Sequence, residues 1–108
     1  MSEHLPLHTI NDLFRTTLLP IFGRVLLTPG VANHPSREAV ISAVRAFDQF
    51  NEDNDPYGEH DFGAIELDHE RFYWKIDYYD KELVYGSEDP ADPSVTTRVL
   101  TIMLAEEY

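Results

Sequence analysis

Apolar and polar positions alternate most strictly over Arg71–Asp80, RFYWKIDYYD. Phe72, Trp74, Ile76 and Tyr78 fall on one side of an extended chain, and Tyr73, Lys75, Asp77 and Tyr79 on the other. Period-two alternation of aromatic and β-branched residues predicts a strand with one buried face. Upstream, Phe62–Asp68 (FGAIELD) predicts a partner strand. With His69-Glu70 as a two-residue turn, Leu67 opposes Phe72 and Ile65 opposes Trp74 on one face. Downstream, Asp80-Lys81-Glu82 predicts a turn and Leu83–Ser87 (LVYGS) a third strand, which makes Arg71–Asp80 the central one. Arg24–Thr28 (RVLLT) is a further short strand whose place in the sheet the pattern does not give.

Helical spacing appears in three places. Ile10, Leu13, Phe14, Thr17, Leu18 and Ile21 form one stripe, with Thr9 as N-cap and Pro20 and Gly23 at the end. Pro29-Gly30 reads as a turn pair, after which Asn33 or Ser36 caps a second helix with Ala39, Val40, Ala43, Val44, Phe47 and Phe50 inward. In the last stretch Asp92 and Pro93 predict a helix start, and Val95, Val99, Leu100, Ile102, Met103 and Leu104 a wide apolar face. The predicted order is α-β-α-β-β-β-α: one small α+β domain over residues 1–108, with a mostly antiparallel sheet, helices packed on it, and residues 1–8 flexible.

Charge changes this picture more than composition does. The 108 residues carry a formal charge of −12 and no cysteine. Residues 1–47 hold three acids and four arginines, whereas residues 48–92 hold fifteen acids against Arg71, Lys75 and Lys81. Direct binding to nucleic acid or to an anionic membrane is therefore not expected, since phosphate contacts need Lys and Arg. A protein partner with a Lys/Arg-rich surface is the better electrostatic match. The absence of thiols, of a signal-peptide pattern and of a long apolar run predicts a cytoplasmic protein.

The segments GRVLLTPGV (Gly23–Val31), DNDPYGEHDFG (Asp53–Gly63), FYWKIDYYD (Phe72–Asp80) and DPADPSVTTRVLTIMLAEEY (Asp89–Tyr108) cover most of the chain. Together they resemble an uncharacterised domain-of-unknown-function family of small acidic proteobacterial proteins, often encoded near mobile-element genes. The resemblance implies no established activity. Its genomic setting implies plasmid or phage biology, and with it anti-defence or DNA-maintenance roles.

No P-loop, dinucleotide fingerprint, HExxH or nucleophile elbow is present, and no enzyme activity or cofactor is expected. The acids admit mimicry of a nucleic-acid backbone, with carboxylates standing where phosphates would lie in a basic groove. The residues expected at such an interface are Asp53, Asp55, Glu59, Asp61, Glu66, Tyr73, Asp77, Tyr79, Asp80 and Glu82. Such a protein would serve as an anti-defence inhibitor of the anti-CRISPR or anti-restriction kind. The alternative is a metal-binding module or small metal-dependent enzyme on the loop Asp53–Asp61, with Asp53, Asp55, Glu59, His60 and Asp61 as ligands, although the loop lacks the EF-hand register. In an extended segment only Glu59 and Asp61 of the trio Glu59, His60 and Asp61 share a side. Tyr73 and Tyr79 lie on the second sheet face, which is either covered by a helix or open to a partner.

Overall fold

The structure is a computed structural model and describes residues 4–108. Its elements in chain order are α1 (Leu7–Thr17), β1 (Gly23–Leu27), the short α2 (Pro29–Ala32), α3 (Arg37–Arg45), β2 (Phe62–Leu67), β3 (Glu70–Tyr79), β4 (Thr97–Leu104) and a 3-10 turn, Ala105–Glu107. They form an α+β domain with one four-stranded sheet in the order β1-β4-β3-β2. Three strands run antiparallel, and β1 joins β4 in parallel at the edge. The strand RFYWKIDYYD is central, as its alternation predicts.

One face of the sheet carries the core. Phe72, Trp74 and Ile76 from β3 and Leu100 and Ile102 from β4 meet Phe14 of α1, Val31 of α2, and Val40, Val44 and Phe47 in and after α3. Gly63 lies opposite Trp74 in the β2–β3 ladder, and a Cβ there would strike the indole. The missing side chain is what lets the large ring lie across the edge strand. The helices also cap one another. Arg15 of α1 donates to the carbonyls of Val44 (3.1 Å) and Phe47 (2.8 Å) at the end of α3, while Arg45 of α3 donates to Thr16 O (2.9 Å) at the end of α1. The last carbonyls of a helix lack the usual amide partners, although Val44 O also accepts from Phe47 N–H (3.2 Å), and a cation at a helix C-terminus also suits the dipole.

The structure corrects the sequence expectations in several places. Leu83–Ser87 is not a strand: Leu83 takes a left-handed φ of 60°, and a single bridge, Tyr79 to Gly86, is all the pairing it makes. The third antiparallel partner is instead Thr97–Leu104, expected to be a helix. In β4 the core-facing Leu100 and Ile102 and the outward Val99 and Met103 are all buried, so its apolar run shows no clean alternation and resembles the stripe of a helix. Asp92 caps only a turn, accepting from the Ser94 backbone N–H (2.9 Å) and hydroxyl (2.7 Å).

Smaller shifts occur at other boundaries. The first helix begins two residues before Thr9 and ends at Thr17, with Leu18 left-handed. Pro29 opens α2, and Ser36 rather than Asn33 precedes α3. The hairpin turns on Asp68-His69, both with positive φ (53° and 67°), the backbone of a type I′ turn. Ile65 therefore pairs with Phe72, and every partner moves by two residues, which preserves the faces. Of the residues expected to be flexible, 1–3 lie outside the described residues, and Leu7 and His8 are helical.

Candidate functional site at an acidic pole

The strand directions bring separate stretches of sequence to one end of the sheet. Tyr79 at the end of β3 pairs with Thr97 at the start of β4, and Gly23 at the start of β1 pairs with Arg98. Phe62, the first residue of β2, pairs with Lys75, four residues before the end of β3 at Tyr79. The loop before β2 and the loop between β3 and β4 therefore emerge together. The first carries Asp48, Glu52, Asp53, Asp55, Glu59 and Asp61, and the second Asp80, Glu82, Glu88, Asp89 and Asp92 against Lys81 alone. The opposite end holds a tight hairpin turn and the 3-10 turn. The net charge is thus concentrated in space as well as in sequence.

A buried polar seam holds the two loops at this pole. Asn11 of α1 donates its amide to the Glu59 carbonyl (2.9 Å) and to the Tyr78 hydroxyl (2.8 Å). Its amide oxygen accepts from Arg98 Nε (2.8 Å), and Arg98 Nη2 donates to the carbonyl of Pro90 in the second loop. Arg98 is fully buried, and among the described residues it has no carboxylate partner and its Nη1 has no hydrogen-bond partner. Burial pulls its guanidinium pKa below the ordinary value. Burial likewise holds the Tyr78 hydroxyl well above the usual tyrosine range, and that hydroxyl donates to Asp61 (3.4 Å). Loss of solvation penalises the charged form in both cases.

Beside the seam, His60 is clamped between carboxylates. Its Nδ1 lies 3.0 Å from both oxygens of Asp12, and its Nε2 lies 3.6 Å from Asp55. The ring stacks on Phe50 at 3.8 Å between centroids. Asp55, almost wholly buried, accepts the backbone N–H groups of Glu59 (3.1 Å) and His60 (3.3 Å). His60 has φ 56°, a conformation that these contacts sustain. The Glu59 and Asp61 side chains come together, although the left-handed His60 between them is not extended. Burial first, then a hydrogen bond and repulsion from Asp61 and the charge of Asp55, raise the Glu59 carboxyl pKa.

The expected interface residues separate into two groups. Asp53, Asp55, Glu59, Asp61, Asp80 and Glu82 belong to the pole. Asp55 is spent on its own loop, and Asp80 caps the N–H of Val84 (3.0 Å). Glu66, Tyr73, Asp77 and Tyr79 lie instead on the outward sheet face, opposite the core that α1, α2 and α3 cover. There Asp77 pairs with Lys75 (2.9 Å), Glu66 faces Arg71 (3.8 Å), and Tyr73 packs against Phe62 and Tyr108. Among the described residues, the trio of metal-ligating side chains that converges is His4, Asp89 and Asp92, not the set Asp53, Asp55, Glu59, His60 and Asp61.

Sequence reasoning passed over Tyr57 and Tyr85. They are 86% and 74% exposed, one in each acidic loop, and Val84 beside Tyr85 is 60% exposed. For Tyr57 the signal was present, since an aromatic between Pro56 and Gly58 in an acidic stretch has no periodic stripe to join, whereas Tyr85 was read into the strand Leu83–Ser87. Asn11 and Arg98 carried no such signal.

These features define a small α+β domain with a cross-braced acidic end. The chain belongs to the family described as "Protein of unknown function (DUF3768)", whose model matches residues 27–107. No curated protein and no solved structure matches it. No helix among the described residues is long and apolar enough to cross a membrane.

Proposed function

We propose that this protein acts by binding rather than by catalysis, docking its acidic pole on a Lys/Arg-rich surface of a nucleic-acid-handling protein. The observation that carries this reading is the convergence of two acidic loops at one end of the sheet, each with an exposed tyrosine. Carboxylates supply long-range attraction and displace counterions from a basic groove, as phosphates do. Tyr57 and Tyr85 supply apolar contact area of the kind enriched at interface hot spots. The linker between β3 and β4, residues 80–96, is longer than loops without secondary structure usually are in small domains, which also suits a binding role. No cofactor enters this reading. In its finer form the partner belongs to a nucleic-acid-directed defence system, and the pole occupies its nucleic-acid groove.

Affinity capture from the host, followed by titration of the captured partner, tests the proposal. The affinity should fall steeply between low and moderate salt, nucleic acid should compete, and Tyr57→Ala combined with Tyr85→Ala should weaken binding by about tenfold or more. Salt-insensitive binding, or binding unchanged by the double substitution, overturns it.

A further inference from the structure

At the other side of the sheet, β1 ends the ladder, and among the described residues no strand pairs with its outer edge. Phe22 O accepts from Arg98 N (3.2 Å) and Thr28 N donates to Ile102 O (3.1 Å). The alternation of a parallel ladder then turns the N–H and C=O groups of Val25 and Leu27 away from β4. An unpaired edge of this kind is a template for another strand unless it is blunted by charge, proline or a bulge. Here the blunting is weak. Residues 18–28 contain no acid and a single cation, Arg24, and Leu19, Ile21 and Leu26 are 49%, 76% and 53% exposed. The β2 edge, by contrast, carries Glu66 and runs into Asp68.

We infer that the β1 edge pairs with the β1 edge of a second copy of this chain, antiparallel about a two-fold axis through Leu26. Charge selects this occupant. Two chains of −12 repel wherever their acidic poles approach, and β1, whose stretch 18–28 carries no acid of its own and has Glu107 against Thr28 at its far end, is where they can meet with less repulsion. Lys81 and Arg24, which line the shallow hollow beside Gly23, lower the local negative field further. In this register Leu26 faces its own copy in a non-hydrogen-bonded pair, where side chains approach most closely, and Val25 exchanges backbone hydrogen bonds with Leu27 of the other copy. Arg24 falls opposite Thr28, so the two arginines do not meet. The result is a continuous eight-stranded sheet. An isologous contact closes on itself and leaves both acidic poles available for the partner proposed above.

The chain has no cysteine, which makes the register directly testable. Leu26→Cys should oxidise to a covalent dimer at protein concentrations where Val84→Cys, equally exposed but at the pole, does not. The Cα separation across such a pair lies within disulfide reach. Sedimentation velocity of the unmodified chain should show a monomer–dimer equilibrium that shifts toward dimer as salt rises, opposite in sign to the partner binding. Ile21→Lys and Leu26→Lys, both at exposed positions that leave the core intact, should each weaken dimerisation by about tenfold or more, since the two-fold places every substitution in the interface twice. A monomer at all concentrations, a dimer indifferent to these lysines, or equal cross-linking of the two cysteine variants overturns the inference.

Discussion

At the base of the acidic pole Arg98 is wholly enclosed, and its acceptors are an amide oxygen and a carbonyl. At the rim, Glu52, Asp53, Glu82 and Glu88 are exposed and Tyr57 and Tyr85 stand out from the surface. The base is positive, dry and tied by hydrogen bonds to α1 and both loops. The rim is negative, wet and tied to little. A charge buried without a counter-ion is costly, and it persists only where neighbouring dipoles are fixed around it. The seam therefore holds the loops in place, while the rim is available for contact with another molecule.

Removing the base should produce the largest effect. Arg98→Ala leaves the Asn11 oxygen and the Pro90 carbonyl without their donor and opens a cavity beneath both loops. A loss of about 3 kcal/mol is expected, with a fall in Tm of more than about 10 °C. Hydrogen exchange should rise in residues 51–61 and 80–96 together. A loss below about 1 kcal/mol in urea denaturation would show that the seam is not what braces the pole.

Proton linkage at Glu59 should come next. Its pKa is raised in the folded state, so the folded chain binds that proton more tightly than the unfolded chain. The wild type therefore loses stability as pH rises from the ordinary glutamate range through the raised value. Glu59→Gln removes this loss and should be more stable than wild type at neutral pH, by less than about 1 kcal/mol because the side chain is partly solvated. Denaturation of the two proteins at a series of pH values gives the comparison; parallel curves would mean that the Glu59–Asp61 pair is unstrained.

The smallest effect on stability belongs to the rim. Tyr57→Ala and Tyr85→Ala should change unfolding free energy by no more than about 0.5 kcal/mol, measured by urea denaturation, while impairing partner binding. A larger destabilisation would place these rings in the fold rather than at the interface.

Much of the covered side of the sheet was legible from the alternation of RFYWKIDYYD. The hairpin turn was misplaced by one residue, yet Ile65 and Leu67 stayed on the face of Phe72 because the pairing shifted by two. TRVLTIML was misassigned because apolar residues on both of its faces are buried, and such a run reads like a buried helix. LVYGS failed for the converse reason. Its local composition suits a strand, but the position beside β3 was taken by a segment with more apolar area to bury. At the candidate site, the acids and their bias to residues 48–92 could be counted, whereas Asn11 and Arg98, 87 positions apart, gave no sign of meeting.

By itself the sequence determined which side of the main strand is buried, that helices accompany a mainly antiparallel sheet, and that nearly all the negative charge lies in the middle of the chain. These properties follow from local periodicity and composition, which each short stretch carries independently. Only the tertiary structure decided that the last apolar segment pairs between β3 and β1, that α1, α2 and α3 all cover one face of the sheet, and that the acidic stretches divide between the other face and a shared pole. Those outcomes depend on strand order and direction, which are set by competition among distant segments for the same neighbours, and a local pattern does not record that competition.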